Sequence, residues 1–299
     1  MFRFSSPQQI IEISGVKLGG QPGELPTVMI GSIFFEGHSI VEDPKNGIFD
    51  ERKAEELVNS ALELSEETGN PTIIDVVGES SEALIRYIDF ISEICDAPFL
   101  VDGTTASIRA DATKYVGEVG LQERAIYNSI SEHLTDEERK AIRESRMSSA
   151  VILAVNSRNP MVSGRIEMAE RLIREAEELG IKNILVDTGV LDIPDVGIAS
   201  RTIFEVKERF GLPSGCAPAN TIDMWTRLKE RGKDIFRVCD AFGSAMTPLF
   251  GADFVMYGPI GRAKYIYPAV SFADAIIAYT MRHEGVRPRT REHPLFRIF

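Results

Sequence analysis

The sequence predicts an α/β protein: a single (β/α)8 TIM barrel over residues 1–299 with an N-terminal β-hairpin closing its bottom. Three observations carry this expectation. Short apolar runs end in a carboxylate or carboxamide: IIDVVGE at Asp75, FLVDGTT at Asp102, AIYNSI at Asn128, VILAVNS at Asn156 and ILVDTGV at Asp187. The first four of those polar residues recur about every 26 positions, the length of one strand, loop, helix and loop. The runs are also continuously apolar rather than alternating, as parallel strands covered on both faces must be. All carboxyl ends of a parallel barrel lie on one side, so these polar side chains should converge on one pocket.

Each element follows in order. The segment IIEISGVKLGG, residues 10–20, alternates apolar and polar positions around Ser14-Gly15. It reads as a hairpin that can plug the amino-terminal end of the barrel. The first barrel strand is PTVMIGSIFF, and a long loop with Asp43-Pro44 and Asn46-Gly47 leads to Asp50. Asp50 caps a helix that buries Ala54, Leu57, Val58, Ala61 and Leu62 and stops at Gly69-Asn70-Pro71. Strand two covers Thr72 to Val77, and its helix turns Leu84, Ile88 and Ile91 inward. Strand three ends at Asp102 and strand four at Asn128, after which Thr135 and Glu138 form a capping box. Strand five ends at Asn156 and leads to a helix with Ile166, Ala169, Ile173 and Ala176 on one face. Strand six ends at Asp187, strand seven is LPSGCAPAN to Asn220, and strand eight is ADFVMYGP. The competing open, doubly wound sheet would carry GxGxxG or GxxxxGK[ST] after a strand, and neither pattern occurs.

Composition narrows the function. The formal net charge of -12 argues against a nucleic-acid partner, which needs a basic face. No apolar run reaches the roughly 18 residues of a membrane span, and the N-terminus lacks a secretory pattern, so a cytoplasmic protein without membrane insertion is expected. Cys95, Cys216 and Cys239 are widely spaced, as reduced thiols are, and the four histidines form no HxH or HExxH pair, so no metal is expected. Beyond Thr280, five arginines face two glutamates and read as a tail on the barrel exterior.

The expected mouth holds acids and amides, with no strand-end lysine for a Schiff base and no GxSxG elbow. Such a pocket suits a planar, nitrogen-rich ligand, because carboxylates accept from N–H groups while carboxamides donate and accept. Each residue also has a structural reading. Asp75 can bond across the barrel interior, Asp102 can cap the next helix, and Asn128 and Asn156 can brace loops. Cys216 reads as a small buried thiol and His38 as a loop-ordering residue.

The stretches VKLGGQPGELPTVMIGSIFF, HSIVEDPKNGIFD, RAIYNSI, IKNILVD, FGLPSGCAPAN and ADFVMYGPI followed by YPAV span most of the chain. Through them it resembles the H subunit of tetrahydromethanopterin S-methyltransferase and soluble relatives acting on tetrahydrofolate, within the pterin-binding barrel methyltransferases. The resemblance implies that Asp102, Asn128 and Asp187 hold the pterin ring, that Asn156 is a further pocket hydrogen bond, and that Asn220 contacts the methyl-bearing N5. Asp75 joins the set by position. It implies methyl transfer between N5 of a tetrahydropterin and the cobalt of a corrinoid, with Asn220 and Asp187 as catalytic residues. The chain has no DxHxxG corrinoid-binding pattern, so the cobalamin must come on a corrinoid protein or as free methylcobalamin. A homodimer is expected. NSRNPMVSGRIEMAERL passes straight into a helix where methanogenic relatives carry a Gly-rich insertion, which favours tetrahydrofolate over tetrahydromethanopterin. The loop from Gly37 to Gly47 is a candidate lid or docking element. Two other readings compete: a non-catalytic barrel subunit of a methyltransferase complex, and a dihydropteroate-synthase-like enzyme using Arg109 and Lys114 at a pyrophosphate site.

Overall fold

A computed structural model describes residues 2–298. The chain opens with β1 (Ile10–Ile13) and β2 (Val16–Gly19), an antiparallel pair in which Ile13 faces Val16. Ser14 and Gly15 make the turn with φ of 44° and 84°, the left-handed conformation that two-residue hairpins require. Then come β3 (Val28–Ile33), β4 (Val41–Asp43), β5 (Ile48–Phe49), α1 (Glu51–Thr68), β6 (Thr72–Gly78), α2 (Ser81–Ile94), β7 (Phe99–Gly103) and α3 (Ala106–Glu118). The middle of the chain is β8 (Ala125–Ile130), α4 (Asp136–Glu144), β9 (Ser149–Leu153), α5 (Val162–Glu178), β10 (Asn183–Asp187) and α6 (Val196–Phe210). The last units are β11 (Ser214–Cys216), α7 (Ala219–Met224), α8 (Thr226–Lys229), α9 (Lys233–Met246), β12 (Phe254–Pro259), α10 (Ala263–Met281) and α11 (Pro294–Arg297). Strands β3 and β6 to β12 close a barrel in the order β10-β11-β12-β3-β6-β7-β8-β9, every pair parallel. This is the (β/α)8 TIM barrel expected from the apolar runs.

Two apolar layers hold it together. Outside the barrel, helices press Ala54, Val58 and Ala61 of α1, and Leu84, Ile88 and Ile91 of α2, against the strands. Inside, the hairpin side chains Ile11, Ile13 and Leu18 pack on Val28, Ile73, Leu100, Ile126, Leu185 and Phe254. These barrel residues lie toward the strand beginnings, so the hairpin closes the amino-terminal end and leaves the carboxyl end open. The caps are those the sequence supplies: Asp50, Ser80 and Thr105 accept from backbone N–H groups, and Thr135 with Glu138 completes the capping box. Since Thr105 caps α3, Asp102 is not a cap.

Three expectations change. Strand five ends at Leu153, before Asn156, because the Val155 N–H turns back to the Leu153 carbonyl at 2.8 Å. Strand seven covers only Ser214–Cys216, and Asn220 lies in the first turn of α7, which opens after Pro218 with its fixed φ of -63°. The Gly37–Gly47 loop contains β4, which pairs with β5 as a small ribbon. Ile40 of the loop and Phe49 of β5 are buried, and Phe49 meets Phe34 at 4.7 Å, which in turn stacks on Tyr87 at 4.3 Å. Ser80 Oγ also donates to the Lys45 carbonyl at 2.6 Å, so the segment is tied to the barrel body. The arginine-rich tail packs on the exterior as expected, with Arg289 bonded to Glu24 at 2.6 Å and His293 fully buried. No helix among the described residues is long and apolar enough to cross a membrane.

Candidate active site

Parallel register brings the strand-end side chains together. Asp75 lies beside Ser32 on the neighbouring strand, and Ser32 Oγ donates to Asp75 Oδ2 at 2.5 Å. The other carboxylate oxygen, Asp75 Oδ1, is buried without a partner. Asp102 on β7 is in register with Asn128 on β8, whose Nδ2 donates to Asp102 Oδ2 at 3.1 Å. Asp187 ends β10, and its Oδ1 accepts from the Gly189 N–H at 2.8 Å. Gly189 has a φ of +69°, and a Cβ there would fall 2.3 Å from Val155 Cγ2, so glycine is required at this turn.

Below that turn Arg165 is completely buried. Its Nη1 donates to the carbonyls of Thr188 and Gly189 at 2.8 and 2.7 Å, and its Nη2 to Asp195 Oδ2 at 2.6 Å. Arg165 therefore fixes the loop that carries Asp187 while its charge is matched by Asp195. A fork of five donors suits this task better than an ammonium would.

These residues line one cavity of about 590 Å³ at the open end of the barrel. Asp75, Asp102, Asn128, Asp187 and Asn220 all reach it, with Val77, Leu153 and Met256 as apolar walls. Asn156 does not line it. Its Oδ1 accepts from the N–H groups of Arg158 and Asn159 at 3.0 and 3.1 Å, and its Nδ2 points to the Gly164 carbonyl at 3.4 Å. The asparagine braces its own loop, the role that Asn takes readily in turns. His38 likewise orders its loop: Nδ1 accepts from the Phe34 N–H at 3.3 Å, and the ring stacks on Phe35. The buried Cys216 thiol is pushed well above its ordinary range by desolvation and then by Asp187.

The electrostatics of the cavity are those of carboxylates awaiting donors. Burial raises Asp75 to about 6 against the opposing Ser32 hydrogen bond. It raises Asp187 to about 6, against the Gly189 N–H and Arg165. Asp102 is pushed well above the carboxylate range by burial and then by the charge of Asp75, with Arg109 and Asn128 opposing. Buried carboxylates without a matching cation are costly, and a ligand with several N–H groups offsets that cost.

Three residues around the cavity had no strand-end signal. Ser32 falls inside an apolar strand. Asp223, in the third position after Asn220, accepts from Arg262 Nη2 at 2.7 Å. Arg109 on α3 donates to the Gly103 carbonyl at 2.7 Å and through Nε to Glu138 at 2.9 Å. A pyrophosphate site would need Arg109 free, but its guanidinium is committed to Glu138. Lys114, the other cation of that reading, pairs with Asp111 and Glu137 and is not among the cavity's lining residues.

Residues 6–289 match the family model described as tetrahydromethanopterin S-methyltransferase MtrH subunit. The chain belongs to this family, and it is a methyltransferase. It is similar to the H subunit of tetrahydromethanopterin S-methyltransferase from Methanothermobacter thermautotrophicus, 39% identical over 310 residues with all of both chains covered. The H subunit of the same enzyme from Methanopyrus kandleri is 40% identical, covering 96% of each chain. Among solved structures, a dihydropteroate synthase of Coxiella burnetii in complex with pteroic acid superimposes with a TM-score of 0.64 at 13% identity. It covers 90% of this chain and 99% of its own, which shows a shared barrel fold.

Proposed function

We propose that this family member moves a methyl group between N5 of a tetrahydropterin and the cobalt of a corrinoid, with the pterin held in the cavity by Asp75, Asp102, Asn128 and Asp187. The observation that carries this is the convergence on one cavity of three raised carboxylates, the buried Asp75 and Asp187 and the half-buried Asp102, with Asp75 Oδ1 partnerless. The pyrimidinone edge of a pterin presents amino and ring N–H donors in one plane and so fits that donor-seeking set. Asn156 has no part in the proposed cradle, since its amide is spent on its loop.

Asn220 is the proposed N5 contact. Its side chain is exposed at the mouth in the first turn of α7, and it lines the cavity. For the methyl group to pass to cobalt(I) the C–N electron pair must stay on N5, which takes up a proton from water. A carboxamide both donates and accepts, so it can bond N5 as that proton arrives and as the positive charge is discharged when the methyl group leaves. Asp187, ionised above its pKa of about 6, supplies the countercharge. A corrinoid, brought by a partner protein or free as methylcobalamin, supplies the cobalt that receives or gives the methyl group. The open cavity favours a catalytic barrel over a scaffolding subunit, and the committed Arg109 disfavours pyrophosphate chemistry.

Tetrahydrofolate is the pterin favoured by the direct passage into α5. The alignment with the Methanothermobacter relative runs over 310 positions against 299 residues here, so it contains gaps on the side of this chain, as such a missing insertion requires. A homodimer is proposed on α9 and α10, which pack side by side and expose large apolar side chains, Val238 and Phe242 on α9 and Phe272, Ile276 and Tyr279 on α10.

Calorimetric titration with N5-methyltetrahydrofolate and N5-methyltetrahydromethanopterin tests the cradle. Binding of at least one, weakened by Asp102→Asn, is expected. Failure of both to bind at millimolar concentration would overturn the reading.

A further inference from the structure

We propose that a second, basic cleft beside the barrel mouth binds the anionic arylamine tail of the tetrahydropterin substrate, an inference that rests on the pterin reading of the main cavity. The cleft has a volume of about 510 Å³ and lies between α8, the start of α9 and the start of α10. Lys229, Lys233, Arg262 and Lys264 line it, with Phe236 and Tyr265 as its aromatic surface. Asp223 lines both this cleft and the main cavity, so the two spaces share a wall.

The charge there is uncompensated. Five of the ten lysines, Lys17, Lys53, Lys114, Lys140 and Lys207, form ion pairs, and the cleft gathers three of the others. Among the described residues Lys229, Lys233 and Lys264 form no ion pair, whereas Arg262 is matched by Asp223 at 2.7 Å and Asp240 at 3.4 Å. By contrast, the groove along α4 and α5 is lined by four arginines and four glutamates, with Arg139 paired to Glu175 and Arg174 to Glu170. Helix α9 is preceded at its N-cap by Gly232, which supplies no side-chain cap and leaves backbone N–H donors at the same place. Arg262 sits 5.2 Å over the Phe236 ring and holds that aromatic surface in position.

An aromatic surface rimmed by unpaired cations suits an aryl ring followed by anionic groups. A tetrahydropterin substrate carries that combination on C6: an arylamine leading to carboxylates in tetrahydrofolate, and an arylamine leading to a phosphodiester and carboxylates in tetrahydromethanopterin. With the pterin ring in the main cavity, the shared wall at Asp223 gives the tail a route into the cleft. Side-chain mobility of the lysines also allows tails of different length to be held, because each contact is a point charge rather than a fixed fork.

The test compares three probes: a tail-less N5-methyl-6-methyltetrahydropterin, N5-methyltetrahydrofolate as mono- and triglutamate, and N5-methyltetrahydromethanopterin. Dissociation constants are measured for the unmodified protein and for Lys233→Gln/Lys264→Gln. The tailed probe that is the true substrate should bind the unmodified protein more tightly than the tail-less one. The double variant should weaken it about three- to tenfold, the scale of two exposed ion pairs, and leave the tail-less probe unaffected. On the unmodified protein, rising salt should weaken the tailed probe alone. Equal affinity of all probes for the unmodified protein, or an equal loss for tailed and tail-less probes in the variant, would overturn the proposal while leaving the pterin cradle standing. Failure of every probe to bind would instead remove the cradle on which it rests. An unchanged tail contribution with a raised KM for a corrinoid protein, but not for free methylcobalamin, would also overturn it and assign the lysines to that protein partner.

Discussion

Asn128 Nδ2 donates to Asp102 Oδ2 at 3.1 Å across neighbouring strands, and this bond is one of the few groups that favour the charged form of a carboxylate otherwise raised by burial and by Asp75. The pair should act as one unit toward the ligand. Asn128→Ala and Asp102→Asn should each weaken pterin binding about tenfold, the worth of a buried hydrogen bond to a charged group. The double variant should lose less than the product of the two, because both changes remove the same contact. Titration calorimetry of the cycle checks this, and strictly additive losses would separate the two residues.

Asp187 predicts a pH-dependent stability. Its folded-state pKa is raised to about 6 by burial, while the unfolded chain titrates near its ordinary value of about 4. The folded protein therefore binds the proton more tightly, so this stabilisation is full below about pH 4 and is lost as the pH rises through about 6. Asp187→Asn keeps an acceptor for the Gly189 N–H and removes the charge. It should raise the unfolding free energy at pH 7.5 by on the order of 2 kcal/mol, with little gain at pH 4, while pterin affinity falls. Urea melts at the two pH values decide it; a pH-independent difference would count against burial as the cause.

Arg165 should be required for the loop at the mouth. Arg165→Met removes four hydrogen bonds, among them one to the Pro160 carbonyl, and leaves Asp195 without its guanidinium partner. The loss should be about 3–5 kcal/mol, as for other broken buried pairs. If the folded variant is isolated at low temperature, it should also bind pterin more weakly. A melting temperature within a degree or two of the parent protein would contradict the assignment.

The exposed apolar side chains of α9 and α10 predict oligomeric behaviour. Phe242 and Tyr279 are 69% and 61% exposed, so Phe242→Glu should leave the fold intact. In solution the parent should sediment as a dimer and the variant as a monomer. A monomeric parent protein would remove the proposed interface.

The barrel was legible because buried parallel strands read as apolar runs, and Asp75, Asp102, Asn128 and Asp187 meet because parallel register puts strand ends on one side. The same reading erred where the apolar run outlasted the hydrogen-bond ladder. Val155 continues the run but turns back to Leu153, which carries Asn156 out of the cavity. Pro218 similarly ends strand seven early, though Asn220 still reaches the mouth from the helix that follows. Arg165 and the lysines of the basic cleft were invisible for a different reason. Their partners and neighbours lie on other elements, and neither apolar period nor motif spacing records contacts between helices and loops far apart in the chain.

In the proposed methyl transfer between a tetrahydropterin and cobalt, Asn220 acts on N5. The most direct measurement follows the cobalt absorbance as purified protein is mixed with cob(I)alamin and the N5-methylated pterin that binds, for the parent chain and for Asn220→Ala. Conversion of the cob(I)alamin spectrum to that of methylcobalamin is expected with the parent. With Asn220→Ala, kcat should drop by about a hundredfold, the scale of losing a transition-state hydrogen bond, while the pterin dissociation constant changes little. No methyl transfer from either pterin, or equal losses in kcat and affinity for the variant, would contradict the account.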